Sequence, residues 1–233
     1  MKSSVDGPGR TARSVREEVI YWTRTLGVLP AIKLKQPEET LPYLRALQKA
    51  GLHVVEITAT TPGVLDTLRV ASAEFGNGLH LGVGTVLDTE TARAAIMAGA
   101  RLIVNPAVIP EVIAMAHRYG VACYSGAFTA TECLTAMLAG ADMVKIFPAA
   151  VAGPKYMLNL KMVYPEVNLI PSGGIGLQDA GEYIKCGACA VSGSRQFVNA
   201  DMVRQHGFEW ATERAQELIR VVEEARKSPY ALP

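Results

Sequence analysis

The chain has almost no charge imbalance. Its 23 lysines and arginines stand against 22 aspartates and glutamates, a formal net charge of +1 over 233 residues. That balance leaves no electrostatic footprint for nucleic acid or an anionic membrane, so a small-molecule partner is expected. The sequence lacks the run of ~20 apolar residues that a membrane-spanning helix needs. Its opening, MKSSVDGPGRTARSVREE, is polar where a signal peptide has an apolar stretch, so a cytoplasmic protein is expected. Cysteine is scarce: Cys123, Cys133, Cys186 and Cys189 are the only four, too few for a disulfide framework in a chain of this size. CGAC at 186–189 has Cys-x-x-Cys spacing, but no further ligand stands nearby for zinc and the pair precedes an apolar strand instead of opening a helix. Buried small hydrophobes are the better reading. His53, His80, His117 and His206 are scattered, with no carboxylate or cysteine at ligand spacing, so neither a metal nor another cofactor is expected. A dinucleotide fingerprint is also missing, since GVGTVL at 82–87 lacks its third glycine.

What is present is a hydrophobic content of 49%, enough for a substantial core, arranged as a repeat. Apolar runs of strand length recur eight times, as VLPAI near 28, HVVEIT near 53, LHLGVGT near 79, RLIVNP near 101, VACYSG near 121, MVKIFP near 143, NLIPSGG near 168 and ACAVSG near 188. Amphipathic segments such as PEETLPYLRALQKAG and PEVIAMAHRYG lie between them, most ending in a glycine suited to a helix terminus. Strands apolar nearly throughout and alternating with helices belong in a covered parallel sheet. Eight units predict a (β/α)8 TIM barrel, with VREEVIYWTRTLG as an extra N-terminal helix capping the barrel floor. Residues 1–13 are expected to be a flexible tail and 14–233 a single barrel domain. A doubly wound sheet fits the same alternation less well.

In such a barrel the chemistry gathers where strands end, and two strands carry a charge in their apolar interior. Lys145 shares its strand face with Met143 and Phe147, and Glu56 shares its face with Val54 and Thr58, so both point inward. Two readings stand side by side. The pair is a buried ion pair that fixes geometry, or burial supplies a neutral amine that attacks a carbonyl, with the carboxylate as general acid/base. PSGGIGLQD at 171–179 and SGSRQF at 192–197 place glycines in the seventh and eighth strand-to-helix loops. Together they favour a phosphate over glycines that merely turn the chain.

The ordered set of motifs resembles the class I 2-keto-3-deoxy-6-phosphogluconate (KDPG) aldolases and their 4-hydroxy-2-oxoglutarate (KHG) and 2-keto-3-deoxy-6-phosphogalactonate (KDPGal) relatives. The residues that carry it run from VLPAIKL to SGSRQF and include Glu-Ile-Thr at 56–58, Gly-Val-Gly-Thr-Val at 82–86, Asn-Pro at 105–106, Lys-Ile-Phe-Pro at 145–148 and Pro-Ser-Gly-Gly at 171–174. The resemblance implies Lys145 as the Schiff-base lysine and Glu56 as general acid/base acting through a water. It implies Thr85 at the substrate carboxylate, and Gly173, Gly174, Gly193 and Ser194 at a phosphate. Thr60, Lys33, Pro106, Phe147 and Ser172 complete the expected substrate pocket. The implied substrate is a 2-keto acid, cleaved without a metal to pyruvate and an aldehyde by a homotrimer.

The chain departs from the family pattern at several points. Thr60 stands where many relatives carry an arginine that meets substrate anions, and Lys33 offers compensating charge. Ser172 replaces a common threonine, which leaves the C4 configuration open. Asn105 replaces a common serine, Phe128 is expected to narrow the pocket beside strand five, and Arg195 follows the last glycine-serine pair. An isomerase or epimerase barrel would need a histidine at a strand C-terminus, and a catalytically silent binding protein would have dropped Lys145 or Glu56. No histidine falls at a strand C-terminus here and both Lys145 and Glu56 are present, so an aldolase is preferred while these two classes stay open.

Overall fold

The structure is a computed structural model that describes residues 13–193 and 200–230. Eight short strands, β1 (Val28–Ile32), β2 (Val54–Thr58), β3 (His80–Gly84), β4 (Leu102–Val104), β5 (Ala122–Ala127), β6 (Met143–Ile146), β7 (Leu169–Pro171) and β8 (Val191–Gly193), each lie parallel to their neighbours. β8 pairs with β1 through Val28↔Val191, and the bridge Ser172↔Ser192 joins β7 to β8. The sheet therefore closes in chain order, the barrel expected from eight alternating units, and the doubly wound alternative falls away.

The helices are α1 (Val15–Leu26), α2 (Thr40–Lys49), α3 (Val64–Phe75), α4 (Thr89–Met97), α5 (Pro110–Arg118), α6 (Ala130–Leu138), α7 (Ala149–Ala152), α8 (Pro154–Val163), α9 (Leu177–Lys185), α10 (Ala200–His206) and α11 (Phe208–Ala225). Outward residues such as Ile57, Val83, Ile103 and Val144 join Leu44, Leu68, Ile113 and Leu218 of the surrounding helices in one apolar layer. Inward residues form a second, smaller core: Leu29, Val54, Leu102, Tyr124, Met143 and Ile170 meet Val19 of α1.

Helix α1 closes the floor for reasons written in its residues. Ser14 accepts from the Glu17 amide while the Glu17 carboxylate accepts from the Ser14 amide, a capping box that starts the helix. Arg16 pairs with the Asp142 carboxylate at 2.7 Å, the Tyr124 hydroxyl donates to Thr23 at 2.8 Å, and Trp22 stacks on His53 at 3.8 Å. The helix stops at Gly27, whose φ is +69° and where any Cβ would strike Val222 and Arg226, so only glycine serves there. The four thiols are all free. Cys186 is buried at the end of α9 and burial pushes Cys189 up to about 11, as inert apolar packing would do.

Candidate active site

At the C-terminal mouth, the strand ends enclose a cavity of about 320 Å³. Lys145 from β6 and Glu56 from β2 reach across the barrel toward each other, with Nζ 3.3 Å from one carboxylate oxygen and 3.5 Å from the other. Strand alternation alone placed both charges on the inner face, and each is buried, at 8% and 1% exposed respectively. Removing one partner leaves the other charge stranded, at a cost of roughly 3–5 kcal/mol.

Glycines on the intervening strands make the room. On β3, a methyl group at Gly84 would overlap the Glu56 carboxylate. On β5, Gly126 lies in register with Lys145, and a side chain there would run into the Pro106–Ala107 main chain. Close approach, not backbone freedom, calls for glycine at both positions.

Beyond the lysine, the chain after β7 makes a double left-handed turn at Gly173 and Gly174, with φ of 86° and 78°. Their outer surfaces are occupied: a Cβ on Gly173 would press on the Phe147 ring and one on Gly174 on Ala150. The Ser172 and Gly173 carbonyls accept from the Ala149 and Ala150 amides at 2.7 and 3.1 Å, which ties the turn to α7. The turn leads within three residues into α9, so left-handed glycine backbone and the positive end of a helix dipole meet beside the cavity. Lys33 stands exposed at the mouth and lines the same space.

Of the residues expected from sequence, Lys33, Glu56, Thr85, Lys145, Phe147, Ser172, Gly173, Gly174 and Gly193 all line the cavity. Thr60 is exposed and absent from the lining; its hydroxyl lies 3.2 Å from that of Thr58, which does line it. Pro106 is half-buried and covers Gly126 with its main chain without reaching the cavity wall. Phe128 does not narrow the pocket: its ring stacks on Tyr156 at 5.8 Å, and its carbonyl accepts from the Tyr156 hydroxyl at 2.6 Å. Ser194 and Arg195 lie outside the described residues. Sequence reasoning passed over Ala31 and Ile175 as lining residues and Gly84 and Gly126 as its spacers, and it set Thr58 on the inward face of β2 without naming it in the pocket. Thr58 was within reach, two residues after Glu56 on the same strand face. Thr85 also carries a signal no sequence pattern displays, since at φ 62° it is the one non-glycine residue with positive φ among the described residues. That conformation is strained for a β-branched side chain.

Among the described residues no cluster of three His, Cys, Asp or Glu side chains is placed to hold a metal ion. The model of an aldolase family, KDPG and KHG aldolase, matches residues 19–224. The chain belongs to the KDPG and KHG aldolase family. Within it, a 2-dehydro-3-deoxy-phosphogluconate aldolase of Treponema pallidum is 32% identical, over 84% of this chain and 93% of that protein. A 2-dehydro-3-deoxy-6-phosphogalactonate aldolase of Escherichia coli K12 is 34% identical over 75% of this chain and 85% of its own. Among solved structures, KDPG aldolase from Legionella pneumophila, with pyruvate captured as a covalent carbinolamine, superposes with a TM-score of 0.76 at 28% identity. That match covers 82% of this chain and 93% of the other.

Proposed function

We propose that this aldolase cleaves a 2-keto-3-deoxy-6-phospho sugar acid, KDPG, to pyruvate and glyceraldehyde 3-phosphate, with Lys145 as the Schiff-base residue and Glu56 as general acid/base. The observation that carries the reading is the buried Lys145–Glu56 contact of 3.3 Å at the base of the cavity. A proton passed from Nζ to the carboxylate frees the amine, which adds to the C2 ketone; loss of water gives the iminium. Glu56, acting through a water, takes the C4 hydroxyl proton, and the C3–C4 bonding electrons move into the iminium as the aldehyde departs. Protonation of the enamine at C3 and hydrolysis release pyruvate and restore the lysine.

The remaining residues are read by position. Thr85 holds the keto-acid carboxylate, and Ser172 and Phe147 flank the carbon chain. Gly173, Gly174, Gly193 and Ser194 bind the phosphate with the start of α9, as anions bind at glycine turns and helix N-termini. Lys33 adds charge at the mouth, an alternative to the arginine that Thr60 replaces. The same chemistry on KDPGal or KHG is the second reading, and the similarity to the E. coli KDPGal aldolase favours the first of these two. We read the working form as a cytoplasmic homotrimer. Leu138 at 81% exposed and Leu134 at 40%, both on α6, supply an apolar contact face, and no described helix is long and apolar enough to cross a membrane.

Intact mass after incubation with pyruvate and sodium borohydride tests the mechanism. A gain of about 72 Da in the wild type and none in Lys145→Ala is expected; no gain in either reduces Lys145 to an ion-pair lysine. Turnover unaffected by a chelator is expected as well, and comparing kcat/KM on the three keto acids identifies the aldehyde released.

A further inference from the structure

Asn105 follows β4 directly and is fully buried, yet it is not among the residues that line the active-site cavity. Its side chain is nevertheless committed at both ends. The amide nitrogen donates to the Val86 carbonyl at 2.9 Å, and the amide oxygen accepts from the Cys123 thiol at 3.3 Å. Burial pushes the Cys123 thiol up, so it remains a donor. That fixes which way the amide faces, because the flipped form would set two oxygens against each other. Its main chain is fixed too, the Asn105 amide donating to the Tyr124 carbonyl at 3.0 Å.

The residue held by this arrangement is the neighbour of Thr85. Val86 is fully buried, its amide donates to Val104 at 3.2 Å, and its carbonyl needs an internal partner. On the other side, the Gly84 carbonyl accepts from the Ala59 amide at 2.8 Å. Thr85 is thus pinned before and after while its own backbone sits in the left-handed region that threonine disfavours. Such strain persists only where the surroundings over-determine it. A serine at 105 would end one bond short of the Val86 carbonyl and could not supply this contact.

We propose that Asn105 is a positioning residue for the keto-acid carboxylate, keeping Thr85 turned into the cavity by holding the Val86 carbonyl. This rests on the reading of Thr85 as the carboxylate contact and adds a role for a buried residue that touches no substrate. The test measures the pyruvate concentration that half-saturates borohydride trapping in wild type, Asn105→Ser, Asn105→Ala, Thr85→Ala and the Asn105→Ser/Thr85→Ala double variant, with melting curves for each. Asn105→Ser is expected to raise half-saturation about tenfold, the size of one lost well-made contact, while the fraction trapped at saturation stays at the wild-type level. The double variant is expected to be no weaker than Thr85→Ala alone, because both changes remove one device. Half-saturation within twofold of wild type for Asn105→Ser, or losses that multiply in the double variant, would overturn the role. Unfolding of both Asn105 variants at the assay temperature would do the same by making the residue a purely structural one. Wild type that traps no pyruvate would instead sink the aldolase reading itself.

Discussion

The floor and the mouth of the barrel are built by the same eight strands, two residues apart. On β2 the inward step is from Val54 to Glu56, on β5 from Tyr124 to Gly126, on β6 from Met143 to Lys145 and at β7 from Ile170 to Ser172, just past the strand's end. The first member of each pair belongs to the packed inner core under α1, each 1% exposed or less. Of the second members, Glu56, Lys145 and Ser172 line the cavity, and Gly126 admits the Pro106–Ala107 main chain beside it. One pleat period, about 6.6 Å along a strand, thus separates a layer that stabilises the molecule from a layer that does its chemistry. The floor fills its volume with large apolar side chains; the mouth empties it with glycines and then places two charges in the space.

The largest effect follows from breaking the mouth at its charge pair. Lys145→Met should lower kcat/KM by on the order of 10⁴-fold or more and abolish pyruvate trapping. It should also destabilise the protein, because the Glu56 carboxylate is then buried without its partner. The double variant Lys145→Met/Glu56→Gln separates the two roles, since its melting temperature is expected to recover while activity stays lost. If activity returned with stability, the pair would be structural only.

Gly84→Ala should come next. The added methyl meets the Glu56 carboxylate, and a displacement of the order of 1 Å in a catalytic group costs about 10²-fold in rate. The check is a fall in kcat with the pyruvate adduct still trapped on Lys145 but formed more slowly, because the displaced carboxylate also accepts the Nζ proton. An unchanged kcat would mean that the carboxylate need not sit where the barrel holds it.

Much of this contrast was legible in the sequence. Period-two alternation marked Lys145 and Glu56 as inward, and glycine-ended amphipathic segments gave the helices and hence a closed barrel. Position along a strand was legible because a strand is nearly straight; past the strand ends it was legible only where a motif marked it, as at Thr85, Gly173 and Gly174. Thr60 and Pro106 lie just past strand ends, where a turn decides which side chain faces the cavity, and both miss it. Phe128 was misjudged because its partner Tyr156 is brought up by α8 from 28 residues away. Gly84 and Gly126 were visible as glycines, but their purpose depends on what crosses from neighbouring strands, which one chain's pattern does not display.

The floor should respond in the opposite sense. Leu29→Ala removes a fully buried side chain from the inner core, and a loss of about 2–5 kcal/mol in unfolding free energy is expected. Well below the melting transition, kcat/KM should stay within about twofold, as expected for separate layers with additive effects. A loss of activity in step with stability would show that the cavity is not insulated from the packing beneath it.

The smallest expected effect concerns the floor and pH. His80, at the start of β3, is 1% exposed, with Arg101 3.2 Å from Nδ1 and Glu18 of α1 3.5 Å from Nε2. Burial first, and Arg101 and His53 after it, hold its imidazole below its ordinary value, against the opposing pull of Glu18. Burial lowers His53 in the same way beneath Trp22. As pH falls through the ordinary imidazole value near 6.5, the unfolded chain takes up protons that the folded floor still refuses. The stability these residues contribute is therefore complete above that pH and declines below it. The melting temperature should drop by a few degrees between pH 7.5 and 5.5, and His80→Gln, which offers one acceptor and one donor without titrating, should flatten part of the slope. A melting temperature that rises on acidification over this range would mean that Glu18 outweighs burial, making the α1–β3 contact an ion pair instead of a neutral one.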